Sequence, residues 1–144
     1  MNILIINGPN LNLLGIREPD VYGKNTYNDL VNIVTDHAKR NNINIEIKQS
    51  NHEGQIIDFL HEAYFNKVDG IILNAGAYTH YSYAIHDAIS SINIPTVEVH
   101  LSDITKRESF RQISVIKDVC VTSIIGKGIN SYIEALDYLK ENLG

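Results

Sequence analysis

Gly70-Ile71-Ile72-Leu73-Asn74-Ala75-Gly76-Ala77-Tyr78-Thr79-His80 is the stretch that decides the fold. Its apolar start fits a strand covered on both faces, because a strand with one wet face would alternate. Asparagine and glycine then break the run into a loop. Ile3 to Ile6 and Thr96 to Val99 read the same way, and Ile43 to Ile47 and Val119 to Ile125 are further β-branched runs.

Helical stripes lie between these runs. Thr26-x-x-Asp29 and Ser50-x-x-Glu53 resemble capping boxes. Stripes of Tyr27, Leu30, Val31, Val34 and Ala38, and of Ile56, Ile57, Leu60, Ala63 and Tyr64, follow them. Tyr81, Ala84, Ile85, Ala88, Ile89 and Ile92 form a third stripe. Ile129, Tyr132, Ile133, Leu136 and Leu139 form the last, and Glu108 to Ile113 suggest a short extra helix. Strands alternating with helices predict an α/β fold: a flavodoxin-like three-layer sandwich with a five-stranded parallel sheet in the order 2-1-3-4-5. One domain over residues 1–144 is expected.

Composition narrows the function. The 144 residues are 44% hydrophobic and 20% charged, so the chain is expected to be ordered. A formal net charge of −5 argues against a nucleic-acid or anionic membrane partner. It says little about one cleft. Cys120, the sole cysteine, sits between Val119 and Val121 and reads as an inert thiol. No apolar run reaches the ~18 residues of a membrane span, and no leader is evident, so a cytoplasmic location is expected.

Open α/β sheets bind ligands beyond the carboxyl ends of their strands. The residues that follow strands 1, 3 and 4 include Asn10, Asn74, His80, His100 and Ser102, which should converge on one cleft. The first loop reads as some 18 residues without helix or strand, long for a βα connection and suited to a lid. It carries Arg17 and Tyr22. A nearby guanidinium favours tyrosinate, and lowering a phenol from ~10 to ~7 takes about 4 kcal/mol. Such a tyrosinate would be a general base. Three of the four arginines, Arg17, Arg107 and Arg111, fall in loops placed at the cleft. Arginine recognises carboxylates in a bidentate way that lysine cannot.

The blocks NGPNLNLLG (7–15), REPDVYG (17–23), SNHEG (50–54), NAGAYTHYS (74–82) with Asp87, and EVHLSDITKRESFR (98–111) resemble the type II 3-dehydroquinate dehydratases, with GKG (126–128) a weaker echo. The resemblance implies anti elimination of water from 3-dehydroquinate through an enolate, in shikimate biosynthesis, with no metal or organic cofactor. It implies that Tyr22, activated by Arg17, removes the C2 proton. Asn10 would hold the water that stabilises the enolate oxygen. His100, oriented by Glu98, would protonate the departing C1 hydroxyl. Asn74, the Leu101 and Ser102 amides and the Ser102 hydroxyl would hold the carboxylate, and His80 and Arg111 the ring hydroxyls. Arg107 matches a family arginine near the lid. The resemblance further implies a homododecamer built from trimers, in which Asp87 reaches a neighbour's site. Asp103, Ile16, Val115 and Thr122 depart from the family pattern.

Alone, each of these residues has a plainer reading. Tyr22 would be a packing tyrosine, Arg17 a solvated charge, Asn10 and Asn12 turn formers and His100 a core histidine; for Asn12 the turn reading is kept. Asp87 reads equally as a surface charge. His37 and His61 read as surface residues on helices, and His52 and His86 have no metal-ligand partner spacing. A flavodoxin-type nucleotide binder would need a Gly-rich or Ser/Thr-rich phosphate loop after strand 1. A receiver domain would need an aspartate where Asn74 stands. A catalytically dead relative is disfavoured by the intact Arg17, Tyr22 and His100.

Overall fold

The computed structural model describes every residue except Arg17 and Gly23, and only the backbone of Pro19 and Tyr22. Five parallel strands form one sheet in the order β2-β1-β3-β4-β5. They are β1 (Asn2–Asn7), β2 (Asn44–Gln49), β3 (Gly70–Asn74), β4 (Thr96–His100) and β5 (Thr122–Ile125). The expected fold class and strand order are found. Each face of the sheet has its own core, as the two-residue strand period requires. Ile3, Ile5, Ile72, Val97 and Val99 pack with α2 (Tyr27–Arg40) and α5 (Asn130–Leu143). Leu4, Ile6, Ile71 and Leu73 pack with α3 (Glu53–Phe65) and α4 (Tyr83–Ile92).

Local signals hold in part. At α2 the Asp29 amide donates to Thr26 Oγ1 at 3.1 Å and the Thr26 amide to Asp29 Oδ2 at 2.8 Å, a complete capping box. The second expected box is not one. Ser50 accepts from the His52 amide and donates to Gln55, while Glu53 accepts from Ser82 Oγ. Glu53 thus ties α3 to the residue that caps α4. Tyr81 lies outside α4, which starts after Ser82. The long first loop contains a 3₁₀ turn at Leu11–Leu13 and a one-turn helix, α1, at Pro19–Tyr22. The expected extra helix is a 3₁₀ turn at Ser109–Arg111. Strand 5 begins at Thr122, because Lys117–Val119 coil into a 3₁₀ turn that sets Val119 and Cys120 against the α3/α4 core. Burial pushes the Cys120 thiol up to about 12, in keeping with an inert group.

Two glycines bring the β1 and β3 loops together. A Cβ at Gly8 would stand 2.7 Å from the Ala75 carbonyl carbon, and Gly76, at φ +59, packs on Pro9. The Gly8 amide donates to the Asn74 carbonyl at 2.7 Å. Larger residues at either position would part these loops, and the loops form the floor of the site.

Candidate active site

A cavity opens beyond the carboxyl ends of β1, β3 and β4, where a switch-point site belongs. Together with the open solvent at its mouth it spans about 640 Å³. Asn10, Asn74, His80, His100, Leu101, Ser102, Arg107 and Arg111 all line it. Each of them is expected from the sequence at one cleft or, by resemblance, on one ligand.

Glu98 and His100 are two residues apart on β4 and therefore share a face. His100 Nε2 lies 2.8 Å from Glu98 Oε2, and the two are 6% and 1% exposed. The Glu98 carboxylate also accepts from Ser114 Oγ and Ser123 Oγ, each at 2.6 Å. Burial pushes the Glu98 carboxyl up, but the bonds from His100, Ser114 and Ser123 outweigh it and hold the group below the ordinary carboxylate range. An ionised Glu98 takes the Nε2 hydrogen of His100, which leaves Nδ1 to exchange a proton with a ligand. Ser114 and Ser123 carried no motif, and sequence reading missed both.

The lowered Glu98 value has a consequence for stability. A carboxyl depressed in the fold stabilises it above the unfolded carboxyl range, about pH 4, and that contribution fades as pH falls through the folded value. Urea midpoints should therefore drop more steeply between about pH 5 and pH 3 for the parent chain than for Glu98→Gln. Equal acid sensitivity would show that Glu98 is not held ionised.

The turn after β4 offers backbone donors. The Gly126 amide donates to the His100 carbonyl at 3.2 Å, and the Gly128 amide to the Leu101 carbonyl at 3.0 Å. In a trans peptide the N–H points opposite to the C=O. Holding those two carbonyls toward the β5 loop therefore turns the Leu101 and Ser102 amides away from it, in a segment that lines the cavity. Arg107 Nη1 donates to Ser102 Oγ at 3.3 Å, which leaves the Ser102 hydrogen for a ligand. Arg107 also stands 3.8 Å from the Glu18 carboxylate. Asp103, a departure from the family pattern, accepts from the Thr105 amide and hydroxyl and caps the Ile104–Lys106 turn.

His80 donates from Nδ1 to the Ile113 carbonyl at 2.8 Å. Burial lowers its pKa, although the Ile113 bond opposes the shift. The ring is thus held neutral with Nε2 an acceptor, the form that receives a hydroxyl hydrogen. Arg111 pairs with Glu108 and lies over the Phe110 ring, 4.7 Å from its centre.

Asn10 stands at φ 70, its backbone amide donating to Asn51 Oδ1 at 3.0 Å, and it lines the cavity. Gln49 holds both Asn51 and the Gly8 carbonyl. The SNHEG block therefore buttresses the first loop, through an asparagine that sequence reading left without a role. Gln49 also reaches Asn12 Oδ1, consistent with the turn reading. Asn74 donates from Nδ2 to Tyr132 Oη at 3.0 Å and accepts from the Gly76 amide at 3.1 Å. Asp87 does not line this cavity. Its side chain on α4 is 80% exposed and bonds His86. Arg17 and the Tyr22 side chain lie outside the described residues. Among the described residues no His, Cys, Asp and Glu cluster fits a metal ion, and no helix is long and apolar enough to cross a membrane.

Residues 1–140 match the family model described as dehydroquinase class II. A 3-dehydroquinate dehydratase of Caldicellulosiruptor saccharolyticus is 61% identical over 142 residues, covering 99% of this chain and 98% of that one. A relative of the same name from Clostridium acetobutylicum is 54% identical, covering 99% of each chain. The crystal structure of a type II dehydroquinase from Butyrivibrio crossotus superposes with a TM-score of 0.96 at 55% identity, covering 97% of each chain.

Proposed function

The chain belongs to the class II dehydroquinase family, and from that premise we propose the following reaction for its cavity. The enzyme is a hydro-lyase that removes water from 3-dehydroquinate to give 3-dehydroshikimate, by anti elimination and in shikimate biosynthesis. Tyr22, as tyrosinate beside Arg17, takes the C2 proton. The C2–H electrons move into the C3 ketone and form an enolate, whose oxygen is stabilised by a water on Asn10. The enolate then collapses to the C1=C2 enone. The C1–O bond breaks, and the hydroxyl leaves as water with the proton from His100 Nδ1. Tyr22 ends protonated and His100 neutral, and proton exchange with solvent resets both.

The observation that carries this reading is the Glu98–His100 pair beside two outward amides in one cavity. An ionised Glu98 stabilises the imidazolium that must donate, and oriented donors meet the negative charge of the substrate. Asn74 Nδ2, the Leu101 and Ser102 amides and the Ser102 hydroxyl hold the carboxylate. His80 Nε2 accepts from one ring hydroxyl, and Arg111 donates to another. Arg107 keeps Ser102 turned to donate. Two arginines and an amide cradle give the cavity hydrogen-bond donors for an anion inside a chain of net charge −5.

Purified protein given 3-dehydroquinate and no cofactor should build up the ultraviolet absorbance of a conjugated enone, unchanged by EDTA. No turnover from neutral to alkaline pH would overturn the reading, and loss with EDTA would point to a metal in the reaction. We place the enzyme in the cytoplasm as a dodecamer of trimers, with Asp87 completing a neighbour's cavity. Light scattering on the same preparation should give the mass of about twelve chains, and a monomeric mass with full activity would remove that role of Asp87.

A further inference from the structure

We infer that Tyr132 is a positioning residue for this reaction: from behind the cavity it fixes the Asn74 carboxamide so that a donor, not an acceptor, meets the substrate carboxylate. The inference rests on the proposed role of Asn74 in carboxylate binding.

Tyr132 lies on α5, fully buried, and does not line the cavity. Its hydroxyl stands between two asparagines that end neighbouring strands, Asn7 on β1 and Asn74 on β3, which are register partners. The direction of every bond in this cluster follows from one backbone group. The Gly76 amide is a donor, so the Asn74 atom 3.1 Å from it must be Oδ1. Nδ2 then faces Tyr132 Oη at 3.0 Å and donates to it. The Tyr132 hydrogen is thereby sent to the other side, where Asn7 Oδ1 accepts it at 2.6 Å. Asn7 Nδ2 donates in turn to Tyr27 Oη at 3.3 Å.

Asn74 is therefore gripped at both ends of its amide. One Nδ2 hydrogen is used on Tyr132, and among the described residues no partner takes the second. Asn74 lines the cavity, so that hydrogen is the donor left for a ligand anion. Turning the amide over would oppose its nitrogen to the Gly76 N–H and its oxygen to an oxygen whose hydrogen is already committed. Without the Tyr132 oxygen the Nδ2 end loses its buried acceptor, and a buried amide hydrogen without a partner drives the group to rotate or admit water.

Kinetics of single and double variants separate positioning from packing. Tyr132→Phe keeps the ring and removes only the oxygen. Loss of packing alone would lower the melting temperature and leave KM where it was. The inference predicts a KM for 3-dehydroquinate raised about tenfold, the scale of one hydrogen bond to a charged group, with kcat changed far less. Asn74→Ala should raise KM at least as much. The double variant should match Asn74→Ala to within about twofold, because Tyr132 acts through Asn74. Multiplicative effects would overturn the inference, as would an unchanged KM in Tyr132→Phe beside a raised KM in Asn74→Ala. An unchanged KM in Asn74→Ala would instead overturn the carboxylate role of Asn74, and this inference with it. If Tyr132→Phe fails to fold, Asn7→Leu carries the same test. It removes the acceptor of the Tyr132 hydrogen, which then turns against Asn74 Nδ2.

Discussion

Replacing Tyr22 by phenylalanine is expected to abolish turnover of 3-dehydroquinate while leaving the affinity for the product within a few fold. The change removes one oxygen, and that oxygen is the proposed base. A positioned general base contributes about 10²- to 10⁴-fold, and a C2 proton beside a ketone is too weakly acidic to leave without one. A phenol near its usual pKa of ~10 is almost wholly protonated at neutral pH. In the proposed mechanism Arg17 supplies the countercharge that favours the tyrosinate, so Arg17→Lys should cost much of the same rate without reproducing the full loss. Both are measured as single-turnover rates beside equilibrium binding of the product. A Tyr22→Phe enzyme with near-parental kcat would place the base elsewhere.

His100→Ala is expected to lose about 10²- to 10⁴-fold in kcat by stopping the other half of the reaction. Hydroxide is a poor leaving group, and His100 Nδ1 is the proposed donor that turns it into water. The base in that variant is intact. In deuterium oxide, His100→Ala should therefore still exchange the C2 proton of 3-dehydroquinate with solvent although elimination has stopped, whereas Tyr22→Phe should do neither. Loss of exchange in His100→Ala would mean that the histidine takes part in enolate formation. Glu98→Gln should fall between the parent chain and His100→Ala. It keeps a hydrogen-bond partner for His100 and removes the negative charge that favours the imidazolium.

The sequence made some parts of this molecule legible and hid others for physical reasons. Apolar runs such as Ile71 to Leu73 marked strands because both faces of the sheet are covered, and the residues just beyond them marked the cleft. Local spacing failed where a tertiary partner decides. Ser50 and Glu53 stand at capping-box spacing, yet Glu53 bonds Ser82 from another helix. Val119 to Val121 read as strand because they are apolar, but part of that run packs on a core without joining the ladder. Tyr132 fell on a helical stripe and read as packing, which its ring does. Its hydroxyl partner Asn7 lies 125 residues away, beyond any local signal. Ser114, Ser123 and Asn51 belong to the same class: ordinary polar residues whose roles arise only when the chain folds back on Glu98 and Asn10. Arg17 and Tyr22 were readable in the opposite way, from a motif, and their roles rest on it.

Stereochemistry tests the central claim most directly, because it reports where the base stands relative to the leaving group. 3-Dehydroquinate carrying deuterium at the C2 position anti to the C1 hydroxyl should give 3-dehydroshikimate without label, and the syn-labelled compound should give product that retains it. Retention from the anti-labelled substrate would contradict a base and an acid acting from opposite faces of the ring, and with it the roles assigned to Tyr22 and His100.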